Sequence, residues 1–174
     1  MAKAFSLQIA EFIVKTKADT DTVLRMVLFK IDQRLVMRSP VGDASYWQRP
    51  APKGYSGGRF RGAWVVSEWT PNTSEGGLSR LATKDNWNID KDGSATLAAH
   101  ANIIGNAKAG RIYYLMNNVP YSERIEKGWS RQAPNGLVML TVIEFRTMFD
   151  DAINGVRNGT SAADFAQGWE TYKP

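Results

Sequence analysis

The side chains able to do chemistry are few and widely spaced in this chain. Glu123 and Glu126 are two carboxylates that fall on one face of a helix or flank a strand. Such a pair can work as general acid and base only if one member is held protonated. Each has a basic neighbour, Arg124 and Lys127, that favours the ionised form, so the pair reads first as a solvated ion-pair surface. The single histidine, His100, stands among alanines, the setting of a packed and hydrogen-bonded imidazole rather than of a catalyst. The run DNWNIDKDG at 85–93 suggests calcium superficially. It lacks the alternating ligands, the sixth-place glycine and the closing glutamate of an EF-hand loop, and is expected to be a solvated connection. GNAKAG at 105–110 has glycines at both ends but no following Lys-Ser/Thr pair, which weakens a phosphate-loop reading. The chain has no cysteine, which removes thiolate nucleophiles, disulfides and Cys-based zinc sites together. No cofactor is expected.

The elements that position these residues follow from hydrophobic spacing. A chain of 174 residues with 43% hydrophobic content suits one domain with a sizeable core. No window is apolar enough to span a membrane, and Glu11 interrupts the short apolar run at the start, so neither a membrane partner nor a signal peptide is expected. Phe5, Ile9, Phe12 and Ile13 fall at helical spacing, as a first helix or an amphipathic arm. A second helix is expected from a cap at Asp19 or Thr20 to Arg38, with Leu24, Val27, Leu28, Ile31 and Leu35 as its buried stripe and Pro40 as its stop. Trp64–Val66 and Trp69 read as a strand, as does Arg111–Asn117, with Tyr121–Glu126 as a possible continuation of the sheet beyond Pro120. Residues 94–104 are ambiguous between helix and irregular packing. A last helix is expected from Pro134 to Ile153, burying Val138, Val142, Phe145, Phe149 and Ile153, with Asn154 and Gly155 as its stop. The fold class is α+β: an antiparallel sheet packed by an N-terminal and a C-terminal helix, within a single domain over 1–155.

Two segments stand outside that plan. Residues 39–61 are rich in proline and glycine, too long for an idle loop, and carry Tyr46, Trp47, Tyr55 and the basic Arg49, Lys53, Arg59 and Arg61. The tail 156–174 is small and polar apart from Phe165, Trp169 and Tyr172. Aromatic side chains on polar segments bury against a neighbouring surface, either their own domain or another chain. These ten residues are the candidates for inter-subunit or DNA-channel contact. Charge is uneven as well: residues 1–62 hold 11 Lys and Arg against 5 Asp and Glu, whereas 63–174 hold 11 against 12. A basic half fits nucleic acid, an acidic partner or a solvated helix face.

The stretch Ile112–Gly136 carries the pattern N-N-x-P-Y followed by E-x-G-x-S-x-Q-A-P-x-G. It resembles the head–tail connector and tail-completion proteins of tailed bacteriophages, the minor tail protein Z-like group. Residues 39–43 (SPVGD) and 54–64 (GYSGGRFRGAW) resemble the same group's P-V-D-T-G-x-L-R-x-S-W element, here split by an insert that leaves Asp43 distant in sequence from Gly57 and Gly58. The resemblance spans about half of the chain. It implies helices packed on one face of an antiparallel sheet, with Trp64 and Trp129 both packed. It also implies a homo-oligomeric ring, sixfold or twelvefold, between portal-adaptor, tail-terminator or tail-tube proteins and around the genomic DNA. The expected location is the virion neck, after assembly in the host cytoplasm. Three classes therefore compete: a structural virion protein with no enzymatic activity, a small basic nucleic-acid-binding module, and a carboxylate-based hydrolase.

Overall fold

The computed structural model describes residues 5–46, 48–51, 53, 55, 57–78, 90–162 and 164, with backbone alone for 5–12 and Tyr46. The architecture is α+β. The order is α1 (Phe5–Arg38), β1 (Trp64–Glu68), α2 (Ser94–Gly105), β2 (Tyr113–Asn117), α3 (Ser122–Glu126) and α4 (Val138–Arg157). β1 and β2 form a two-stranded antiparallel sheet in which Trp64 faces Asn117 and Glu68 faces Tyr113.

α1 is one helix of 34 residues, where two were expected. No glycine or proline interrupts it. Thr20, one of the two expected caps, turns back on the helix instead: its Oγ1 donates to the Thr16 carbonyl (2.8 Å), as Thr22 Oγ1 does to that of Ala18 (2.9 Å). Asp21 is buried and faces the loop before β2, where it accepts the Ala109 N–H at 2.8 Å and pairs with Lys108 at 3.2 Å.

The second half of α1 is enclosed on several sides. Leu35 and Val36 join Phe60, Trp64, Val119, Ala133 and Leu137. Leu28 and Phe29 meet Val66, Ile104 and Ala107. Met26 and Val27 meet Ala152 of α4. The approach to α4 is close because Gly155 has no side chain; a Cβ there would lie 2.8 Å from the Met26 methyl. Gly155 thus serves packing within α4 rather than ending it.

Elsewhere the structure settles one open stretch and departs from several expectations. Residues 94–105 are helical, and the carboxylate of Asp90 accepts the N–H groups of Gly93 (3.1 Å), Ala95 (3.3 Å) and Thr96 (2.7 Å) at the start of α2. Residues 122–126 form the short α3 rather than more sheet. α4 begins four residues after Pro134 and buries Thr141, Met148 and Ala152. Its large apolar stripe faces outward: Val138, Val142, Phe145 and Phe149 are exposed, and so are Met139 and Ile143. Periodicity identified an apolar face correctly and assigned it to the core, whereas the structure leaves it exposed. Trp129 is 73% exposed, against the expectation of a packed ring.

Trp64 is the better anchor, at 4% exposed. Its indole Nε1 donates to Ser39 Oγ (2.7 Å), which donates in turn to the Leu35 carbonyl (2.7 Å), and Phe60 packs edge-on at 6.3 Å. Trp64→Ala is expected to cost ~3–5 kcal/mol in denaturant unfolding. Trp129→Ala should stay within ~0.5 kcal/mol of wild type, as surface changes do. Equal losses in the two variants would show that Trp129 is packed after all.

Candidate interaction surface

The base of the long loop is closed, so residues distant in sequence share one surface. Gly57 adopts a positive φ of 79°, and a Cβ there would lie 2.5 Å from the Gly42 carbonyl oxygen. The two limbs of the loop therefore touch, and the split halves of the 39–64 element come together. A third limb joins them through Gln132, whose Nε2 donates to the Val41 carbonyl (2.8 Å) while its Oε1 accepts the Val41 N–H (2.9 Å).

Between these limbs lies an open groove of about 980 Å³. Tyr55 and Arg59 line it from the loop, and Tyr121, Arg124, Trp129 and Arg131 from the segment around α3. The Arg124 guanidinium sits over the Trp129 ring at 5.2 Å, and Arg59 is held by Glu75. Burial pushes the Tyr55 and Tyr121 phenols above their ordinary range, which keeps both as neutral hydrogen-bonding groups. Arginine and aromatic side chains are the types that dominate binding energy at protein interfaces.

The predicted contact residues do not share one setting. Tyr55 and Arg59 line the groove, and Arg49 and Lys53 are exposed on the loop. Tyr46 closes a short 3₁₀ turn, Ala44–Tyr46, described for its backbone. Trp47, Phe165, Trp169 and Tyr172 lie outside the described residues. Arg61 is a correction: it is turned into the fold, donating from Nη2 to the carbonyls of Met37 (2.8 Å) and Ser39 (2.9 Å) and from Nη1 to that of Lys91 (2.7 Å). It satisfies carbonyls at the end of α1, where cations are favoured. Sequence reasoning did not place Arg124, Trp129 and Arg131 on this groove. Their position in the stretch that carries the resemblance was the available signal, but an aromatic ahead of a helix was read as core.

The residues with chemical potential have structural partners. Glu123 pairs with Lys127 one helical turn on. Glu126 caps α4: its Oε2 accepts the N–H groups of Leu137 (2.9 Å) and Val138 (3.0 Å), and Oε1 that of Met139 (3.0 Å). Burial alone would raise its pKa, but the three N–H groups together outweigh it and hold the carboxyl below its usual value.

His100 is buried between α1 and β1, with Nδ1 2.8 Å from Asp32 Oδ1 and Nε2 3.0 Å from the Trp64 carbonyl oxygen. A carbonyl can only accept, so Nε2 carries a hydrogen and the Nδ1–Oδ1 contact holds a second, shared one. The pair is then neutral as a whole whichever partner owns the proton. Burial pushes the Asp32 carboxyl up, against the hydrogen bond and charge of His100, and Oδ2 is buried without a hydrogen-bond partner among the described residues.

Compared with protein-family models, curated proteins and solved structures, the chain matches none of them. Among the described residues no helix is long and apolar enough to cross a membrane, and no three His, Asp or Glu side chains group to hold a metal ion.

Two pH-dependent outcomes follow. Glu126→Gln should lose ~1–2 kcal/mol at neutral pH, the scale of a lost helix cap. Because its folded pKa is depressed, the wild-type advantage is present above the ordinary glutamate value near ~4.3 and should fade as pH falls through the lower folded value. An advantage that persists undiminished at pH ~2 would exclude the carboxylate as its source. Asp32 is the opposite case: its folded pKa is raised, so its contribution is fully present below ~3.9 and is lost as pH rises through the folded value. Asp32→Asn supplies a permanent donor to Nδ1 and should remove that dependence. Melting curves of the two proteins that run parallel at every pH above ~3.9 would rule out the shared proton.

Proposed function

We propose that this chain is a structural virion subunit of the bacteriophage neck, a head–tail connector or tail-completion protein. Its copies form a homo-oligomeric ring, sixfold or twelvefold, around the channel through which the genomic DNA passes. The ring meets portal-adaptor, tail-terminator or tail-tube proteins above and below, and is assembled in the host cytoplasm.

The observation that carries this reading is the convergence at the groove. The two stretches that resemble the connector group, one within 39–64 and one within 112–136, form its opposite walls and are clasped by Gln132 and Val41. Residues separated by about 90 positions thus build one surface of arginine and aromatic side chains. The work of such a subunit is assembly and sealing, driven by burial between chains, with no covalent step and no enzymatic activity. The carboxylates that an enzyme reading would use are engaged with Lys127 and with the start of α4. A nucleic-acid-binding role draws on the same guanidinium groups, Arg59, Arg124 and Arg131, and differs in its salt response. Contact with several phosphates weakens steeply with ionic strength.

The test is made on particles. One variant replaces residues 44–56 by a short Gly-Ser bridge, which the contact between Gly42 and Gly57 makes geometrically feasible. The other is truncated after Asp164, sparing α4 and Ala162, which packs on its base. Filled heads and free tails that fail to join are expected in both. Normal numbers of joined particles in both would sink the assembly role of these segments.

A further inference from the structure

The outer face of α4 is apolar and uncovered. Val138, Met139, Val142, Ile143, Phe145 and Phe149 are between 42 and 68% exposed. Phe145 and Phe149 stack on each other, with centroids 6.1 Å apart, and still leave nearly half of each ring to solvent. Six large side chains in this state expose on the order of 500 Å² of apolar surface, at the upper end of what a monomer carries. With a polar rim, that approaches the ~800 Å² per partner of a stable protein interface.

The same chain carries a second uncovered element. The first part of α1 runs out from the body: every residue from Ile13 to Ala18 is exposed, Ile13 by 59% and Val14 by 68%. Six consecutive exposed residues exceed one helical turn, so exposure runs all the way round this part of the helix. The helical backbone from 5 to 18 is about 21 Å long, against about 30 Å for α4, so a helix of that length fits along the α4 face.

The two surfaces cannot meet within one molecule. α1 and α4 pack antiparallel, with Arg34 and Arg38 on Glu144, Lys30 on Asp151 and Met26 on Ala152. That contact uses the inner face of α4, and the unbroken α1 carries its arm away beyond the C-terminal end of α4.

We propose that the outer face of α4 is the docking site for the α1 arm of a second copy of this chain, a head-to-tail contact between unlike surfaces. Such a heterologous contact adds subunits in one direction and closes when the rotation allows. It deepens the ring of the proposed function, and its readout is the mass of purified protein. Failure here and failure of the particle experiment are therefore separate results.

The test uses full-length protein and two surface variants, Ile13→Asp/Val14→Asp in the arm and Val142→Asp/Phe149→Asp on the face, each checked for an unchanged far-UV spectrum. Mass photometry and light scattering should find wild type associated and each variant alone monomeric. An equimolar mixture should give a 1:1 heterodimer and nothing larger, because one intact arm and one intact face remain in it. Four results would overturn the proposal: a mixture that stays monomeric, an arm variant that still associates, a wild type that is monomeric throughout, or association that appears only on truncation after Asp164. The second would assign the face to a symmetric α4–α4 pair, and the last to the chain's own tail.

Discussion

The structure depends on enclosing the second half of one long helix, and on the polar cost of doing so. α1 meets the sheet, α2 and α4 together, which leaves Asp32 in its middle at 1% exposed. A buried carboxyl without a partner would be costly enough to open the core. His100 from α2 meets it, and the other ring nitrogen donates to the Trp64 carbonyl at the start of β1. One imidazole thus joins three elements. Six residues beyond Asp32, α1 ends, and its carbonyls are taken by Arg61 while Ser39 links the Leu35 carbonyl to the Trp64 indole. The chain on both sides of the long loop is fixed by these bonds.

Much of the charge that resembles chemistry is consumed at element ends. Glu126 holds the first N–H groups of α4, Asp90 those of α2, and Arg61 the last carbonyls of α1. Asp21 ties α1 to the Ala107–Gly110 loop in the same way. A small α+β body with a two-stranded sheet has few ladder hydrogen bonds to define it, so the helix termini carry more of the orientation. A carboxylate beside a helix N-terminus is stabilised in its ionised form by the N–H groups it accepts. That is the reverse of what a general acid needs.

The parts legible in the sequence were those where local pattern and tertiary contact agree. The stripe of Leu24, Val27, Leu28, Ile31 and Leu35 in α1 and the strand at Trp64–Val66 are of this kind. Misreadings arose where the pattern fixes only one partner of a contact. The α4 stripe has a clear apolar period, but periodicity does not reveal whether a face meets the same chain or another. Ala152 packs on α1 instead, and Gly155 lets the helices approach closely. Asp19 and Thr20 carry cap chemistry, yet nothing in the local sequence breaks the helix before them. Tyr121–Glu126 turns into a helix because Pro120 and the Val119–Ser122 turn reverse the chain. The groove was half legible: the loop was marked by composition, but its opposite wall required knowing that Gln132 reaches Val41.

The division of surfaces bears on how copies of the chain would assemble. In a contact between unlike surfaces, the rotation from one subunit to the next is the angle between the donating and the receiving element. In the proposed contact the donor is the arm of α1 and the receiver is α4, and the relation between them is set by the packing of Met26, Val27 and Ala152 with the ion pairs of Lys30, Arg34 and Arg38. No glycine or proline lies between residues 5 and 38 to act as a hinge. The number of copies that closes a ring would then be written in the α1–α4 packing of each body, and only secondarily in the residues that touch between bodies. A change at Gly155, where α4 meets Met26, would alter that number more readily than a change of similar size on the exposed stripe.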